Sequence, residues 1–118
     1  MSELPPQVQN MVAQLQQLQQ QLQAVITQRA QVEALLRDTE DALKELNSVS
    51  DDTPIYKSVG GVLVKEDREK VIKELTEKKE TYEIRLKTLQ RQEEKLRERI
   101  AETQKKLQSL LSSGVQAG

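Results

Sequence analysis

Chemistry on a substrate needs groups that can move a proton, attack a centre or hold a cofactor, and this chain of 118 residues offers few of them. It has no His and no Cys, which removes the neutral-pH proton shuttle, the thiolate nucleophile and the two commonest transition-metal ligands. Its Asp and Glu residues fall in stretches that read as exposed helix faces, where no pocket would perturb their pKa values. The pair Gly60-Gly61 precedes an apolar β-type run, not a helix, so it reads as a turn and not as a phosphate cradle. No catalytic residue, metal site or cofactor is expected. Lys and Arg between Lys65 and Arg99 alternate with acids, the pattern of a solvated face, and the net charge is −1. Neither nucleic acid nor an anionic membrane is expected as a partner. No apolar run reaches the roughly 18–20 residues of a membrane span, and the first residues lack the basic and apolar regions of a signal peptide. A cytoplasmic location is expected.

With chemistry set aside, the informative residues are those that could bind other chains, and two long helices must position them. The chain contains no Trp and no Phe, and only two Tyr, Tyr56 and Tyr82. Large aromatics supply much of the area buried in a compact core, so a thin apolar seam is expected instead. Residues 6–47 carry one: Val8, Met11, Leu15, Leu18, Leu22, Val25, Arg29, Val32, Leu36, Thr39, Leu43 and Leu46 recur in steps of three and four. Pro5 and Pro6 suit the first turn of that helix. Residues 68–111 repeat the pattern with Ile72, Leu75, Lys79, Tyr82, Leu86, Leu89, Glu93, Leu96, Ile100, Thr103, Leu107 and Leu110, with Asp67 as the expected N-cap. This 3.5-residue period is that of a left-handed coiled coil. Glu69–Lys73, Glu74–Lys78, Glu83–Lys87, Glu93–Arg97 and Glu102–Lys106 are i,i+4 pairs of opposite charge, each contributing about 0.2–0.5 kcal/mol to a helix.

The two registers are equally long, so a turn between them predicts an antiparallel hairpin of helices in which Val8 meets Leu110 and Leu46 meets Ile72. Each arm would measure about 57 Å at about 1.5 Å per residue. Three seam layers are irregular: Arg29 opposite Leu89, Val25 opposite Glu93, and Thr39 opposite Lys79. Either their long side chains snorkel off the seam or they fix its register.

The connection, residues 54–66, predicts a β-hairpin rather than a plain loop. Ile55-Tyr-Lys-Ser-Val59 and Val62-Leu-Val-Lys65 flank Gly60-Gly61, and β-rich runs around a Gly pair are a hairpin signal. A lone hairpin is marginal in water, and open apolar edges invite strand pairing with another chain. Ile55, Tyr56, Val59, Gly60, Gly61, Val62, Leu63 and Val64 are therefore the candidate assembly site.

The second candidate lies at the far ends of the helices. No charge occurs from Leu4 to Gln28, where Gln is the polar filler, nor from Leu107 to Gly118. The antiparallel pairing brings Val8, Met11, Val12 and Leu15 toward Leu107, Leu110 and Leu111. An apolar, adaptable surface of this kind suits the binding of many unrelated sequences; frayed coil ends without a role are the alternative.

The segment Asp52-Thr-Pro-Ile-Tyr-Lys-Ser-Val-Gly-Gly-Val-Leu-Val-Lys65 resembles the central segment of β-class prefoldin subunits. Leu4-Pro-Pro-Gln-Val-Gln-Asn-Met11 and Leu89-Gln-Arg-Gln-Glu-Glu-Lys95 are similar to archaeal members. The helix–hairpin–helix order, with Tyr56-Lys57 and Val59-Gly60, is the more specific part, and the likeness spans nearly the whole chain. It implies a single domain over 1–118, mainly α, whose hairpin joins others in an intersubunit β-barrel. It implies a hetero-hexamer with α-class subunits, arm tips that hold unfolded polypeptides without nucleotide, and delivery to a group II chaperonin. A structural coiled-coil scaffold that binds no clients is the competing reading.

Overall fold

A computed structural model describes residues 4–117; residues 1–3 and 118 of the expected domain lie outside them. The order is α1 (Pro6–Ser48), β1 (Ile55–Val59), β2 (Val62–Glu66) and α2 (Arg68–Ala117). Pro6 occupies the first helical position, where its missing N–H costs nothing. The carbonyl of Pro5 takes the first helical bond, from Gln9 N at 3.0 Å, and the Gln9 amide holds Leu4 O at 2.7 Å. Asp67 does the same for α2, with Val71 N at 3.1 Å from its carbonyl. α2 continues past residue 111, the expected end one residue beyond the last seam residue Leu110. Helical hydrogen bonding needs no seam partner, no Pro follows, and Gly114 inside the helix costs only about 1 kcal/mol relative to Ala.

Two compact units result, each containing part of both helices. One comprises residues through Arg29 together with those from Thr88 onward; the other is Ala30–Lys87. In the first, Val8, Leu18, Leu89, Ile100 and Thr103 are buried, and Met11, Leu15, Leu22, Val25, Leu96, Leu107 and Leu110 are half-buried. In the second, Val32 and Thr39 are buried, and Leu36, Leu43, Leu46, Ile72, Leu75, Tyr82 and Leu86 are half-buried. Every position of the two apolar registers is thus withdrawn from solvent, as a 3.5-residue seam requires. The buried hydroxyls do not break it. Thr39 Oγ1 donates to Leu35 O at 2.8 Å and Thr103 Oγ1 to Arg99 O at 2.7 Å, each within its own helix.

Two of the three irregular layers depart from the level pairing expected along the seam. Arg29 Nε lies 2.6 Å from Glu93 Oε1, so the two misfit residues find each other instead of facing Leu89 and Val25. Met11 likewise shares a groove with Leu110, and Val25 with Leu96. A helical side chain tilts toward the N-terminus of its own helix. Across an antiparallel pair, residues a layer apart therefore lean together. Neither Arg29 nor Glu93 snorkels: their side chains are 29% and 17% exposed.

Between the helices, Ser50–Thr53 form a turn with Thr53 N bonded to Ser50 O at 3.0 Å. β1 and β2 pair antiparallel, with Tyr56 opposite Lys65, Lys57 opposite Val64 and Val59 opposite Val62. Gly60 (φ 55°) and Gly61 (φ 83°) form the two-residue loop. Positive φ at both central positions is the type I′ geometry, which matches the twist of paired strands.

Candidate functional site

The hairpin shows an unusual surface for a chain with so little apolar residue to spare. Strand alternation puts Ile55, Val59, Val62 and Val64 on one face with Lys57, and Tyr56 and Leu63 on the other. Val62 is 62% exposed and Leu63 69%; Tyr56, Val59 and Val64 are exposed as well. Only Ile55, beside the turn, is half-buried. The sheet has two strands, so each strand keeps one edge without a ladder partner. Exposed apolar side chains and open edges together are what strand pairing with another chain requires.

Contacts that sequence reasoning missed tie α1, the turn and the hairpin to α2. Arg68, the first residue of α2, donates from Nη2 to Leu46 O at 2.6 Å and from Nη1 to Asp51 Oδ1. The last turn of α1 contains no basic residue, and its terminal carbonyls carry partial negative charge. Arg68 supplies the missing cation from across the turn. The absence of Lys or Arg at the end of α1, with an Arg opening α2, was the available signal. Lys57 Nζ then reaches Glu74 Oε2 at 3.3 Å, tying β1 to α2. Glu74 pairs there and not with Lys78. Of the five expected i,i+4 pairs, Glu93–Arg97 closes at 3.0 Å; the other four do not, and Glu66–Lys70 closes instead at 3.8 Å. Exposed pairs gain little from holding two long side chains together.

The second candidate site belongs to the unit that contains both helix ends. Its seven residues do not share one environment. Val8 is 4% exposed and is a seam residue. Met11, Val12, Leu15, Leu107 and Leu110 are half-buried, and Leu111 is 38% exposed. Val12 and Leu111 stand beside the seam rather than in it, as their offset from the register implies. Met11 and Leu110 form the floor of an open groove of about 410 Å³ between Gln7 on α1 and Lys106 on α2. A second groove of about 510 Å³, floored by Val25 and Leu96, lies between Gln21 and Gln28 on one helix and Arg99 on the other.

In the same unit, Glu93 accepts from Arg97 Nε at 3.0 Å on one oxygen and from Arg29 Nε at 2.6 Å on the other. The Arg97 hydrogen bond, the Arg29 bond and both positive charges hold the Glu93 carboxyl below its ordinary value, against the opposing effect of partial burial. The arrangement neutralises a charge inside an apolar seam; with both oxygens occupied, it is not poised for proton transfer. No helix among the described residues is long and apolar enough to cross a membrane.

Comparison with known proteins agrees with this architecture. The family model described as prefoldin subunit matches residues 9–114. The prefoldin subunit beta of Archaeoglobus fulgidus is 83% identical over 95% of this chain and 97% of its own length. That of Pyrococcus furiosus is 49% identical over 94% and 95%. The crystal structure of the prefoldin beta subunit from Thermococcus strain KS-1 superimposes with a TM-score of 0.85 at 46% identity, covering 94% of this chain and 97% of that one. A two-helix coil, a single hairpin between its helices and relatives this close over nearly the full length have one reading: the chain belongs to the prefoldin family of chaperone subunits, in its β class.

Proposed function

We propose that the chain is one subunit of a nucleotide-independent holdase that works in the cytoplasm. It assembles with α-class subunits into a hetero-hexamer through Ile55, Tyr56, Val59, Val62, Leu63 and Val64, with Gly60-Gly61 turning the hairpin between its strands. The strands add to those of neighbouring subunits in an intersubunit β-barrel. Unfolded polypeptides are captured at the helix ends by Met11, Val12, Leu15, Leu107, Leu110 and Leu111 over a seam held by Val8, and are passed to a group II chaperonin. No cofactor or metal takes part.

The observation that carries the capture reading is the pairing of two charge-free ends. A non-native chain exposes apolar side chains in no fixed order, so its receptor must offer apolar surface without strict geometry. Charged neighbours would have to be desolvated on binding; the Gln residues of α1 carry no such cost, and the cations beside the grooves stand on α2 alone. One pair of ends is a small patch; several on one assembly raise affinity through effective concentration.

Deletion of residues 1–11 together with 107–118 tests it. The hairpin residues are untouched, so the hetero-oligomer should keep its number of subunits by light scattering. Its suppression of aggregation of a chemically denatured test protein should be lost. Protection equal to that of the full-length assembly moves the site elsewhere. A full-length assembly that protects nothing makes the chain a scaffold.

A further inference from the structure

The two grooves described above are the same feature repeated. Gln7 and Gln21, Met11 and Val25, Leu96 and Leu110 are each fourteen residues apart, two heptads, on one flank of the coil. On α1 this flank carries Gln7, Gln14, Gln21 and Gln28, one per heptad and all exposed. On α2 it carries Arg99 and Lys106 one heptad apart, with Lys95 and Lys105 also lining the grooves. α1 has no charge before Arg29, so no carboxylate faces these cations across the seam. Glu98 and Glu102 neighbour them on their own helix, yet Lys95, Arg99, Lys105 and Lys106 close no ion pair among the described residues.

We propose that this flank binds extended polypeptide segments that alternate apolar and acidic side chains, so that the chain discriminates among unfolded clients by charge. The inference rests on the capture reading above and names the class of segment that capture favours. The apolar floor takes the hydrophobic side chains, and the Gln row offers donors and acceptors to a backbone in any register. The cationic wall draws carboxylates, whose attraction to exposed Lys and Arg needs no fixed geometry. Fourteen helical residues span about 21 Å, the length of roughly six extended residues; a short unfolded segment therefore reaches both grooves. Single-stranded nucleic acid fits less well: the flank has no aromatic side chain for base stacking, Tyr56 and Tyr82 lying in the other unit.

The test uses the full-length chain assembled with its α-class partner and three fluorescein-labelled twelve-residue peptides, of alternating Leu with Asp, with Lys or with Ser. The Leu–Asp peptide should bind roughly tenfold more tightly than the Leu–Lys peptide at low salt, with the gap closing near 1 M salt. Lys95→Gln with Arg99→Gln and Lys106→Gln should erase the gap and leave Leu–Ser binding unchanged. Gln21→Glu with Gln28→Glu, which keeps every cation but sets carboxylates across the groove, should erase it too. Helicity by circular dichroism and unchanged assembly mass qualify both variants. Equal affinity for the acidic and basic peptides overturns this inference while leaving capture intact; failure of all three peptides and of a denatured protein to bind overturns capture itself. Loss of assembly mass in the Gln variant would make the flank a subunit contact, and binding of oligo(U) or anionic vesicles in place of the Leu–Asp peptide would make it a general anion surface. Either result overturns the proposal.

Discussion

At the scale of single residues, Glu93 is held from two sides in the terminal unit. It is a carboxylate at a seam position, made tolerable by Arg97 on one oxygen and Arg29 on the other. Its pKa is depressed in the folded chain, so its contribution to stability is complete above the unfolded value, about 4.3–4.5, and is lost as pH falls through the lower folded value. Glu93→Gln keeps the shape and removes the charge. The variant should melt below the parent from pH 7 down to about 5, and the difference should shrink steadily below about pH 4.5. Circular dichroism melts across that range check it. A difference in melting temperature that stays constant down to pH 3 would mean that the ionised form contributes nothing. Arg29 and Glu93 were visible in the sequence as misfits. Their partnership was not, because level pairing along the seam ignores the tilt of helical side chains.

At the scale of elements, the hairpin depends on two glycines for different reasons. A Cβ at either would meet nothing within 4 Å, so any penalty comes from the backbone. Gly60 at φ 55° sits where Asn is tolerated, whereas Gly61 at φ 83° lies farther into a region that side chains avoid. Gly61→Ala should weaken strand pairing by about 1–2 kcal/mol, and Gly60→Asn by much less. Hydrogen exchange of the ladder amides from Ile55 to Glu66 should accelerate roughly five- to thirtyfold in the first variant. Equal exchange in Gly61→Ala and the parent would show that the turn does not limit the ladder. The Gly pair marked the hairpin in the sequence because no other residue type enters such a loop so cheaply. The Arg68 bond to the end of α1 left only an indirect mark there, an α1 end without Lys or Arg and an Arg opening α2, since it joins residues 22 apart across an irregular turn.

At the scale of the whole molecule, the exposed apolar hairpin calls for other chains. Val62 and Val64 share a face and are 62% and 42% exposed in the isolated chain. Val62→Asp with Val64→Asp should therefore leave the monomer's helices intact. In an assembly where those side chains are covered, each buried carboxylate costs several kcal/mol. Sizing chromatography with the α-class partner should find the hetero-oligomer dissociated, while the helical circular dichroism signal is retained. An assembly of unchanged mass would remove the hairpin as its platform.

The sequence alone determined the two helices, their seam and the turn between the strands. Each is written in a local period: three and four along the coil, two along the strands, and a glycine pair that admits positive φ. It also determined that α1 would carry no charge before Arg29 and that none would follow Lys106. The tertiary structure alone decided which side chains meet. Glu74 pairs with Lys57 and not with Lys78, and Arg29 reaches Glu93 a layer away. It also set Gln residues of α1 and Lys95, Arg99, Lys105 and Lys106 of α2 along the same two grooves. The physical reason is that period sets which face of an element is buried, whereas partners across a seam depend on axial offset and side-chain tilt. Those are properties of two packed elements together, and neither helix carries them by itself.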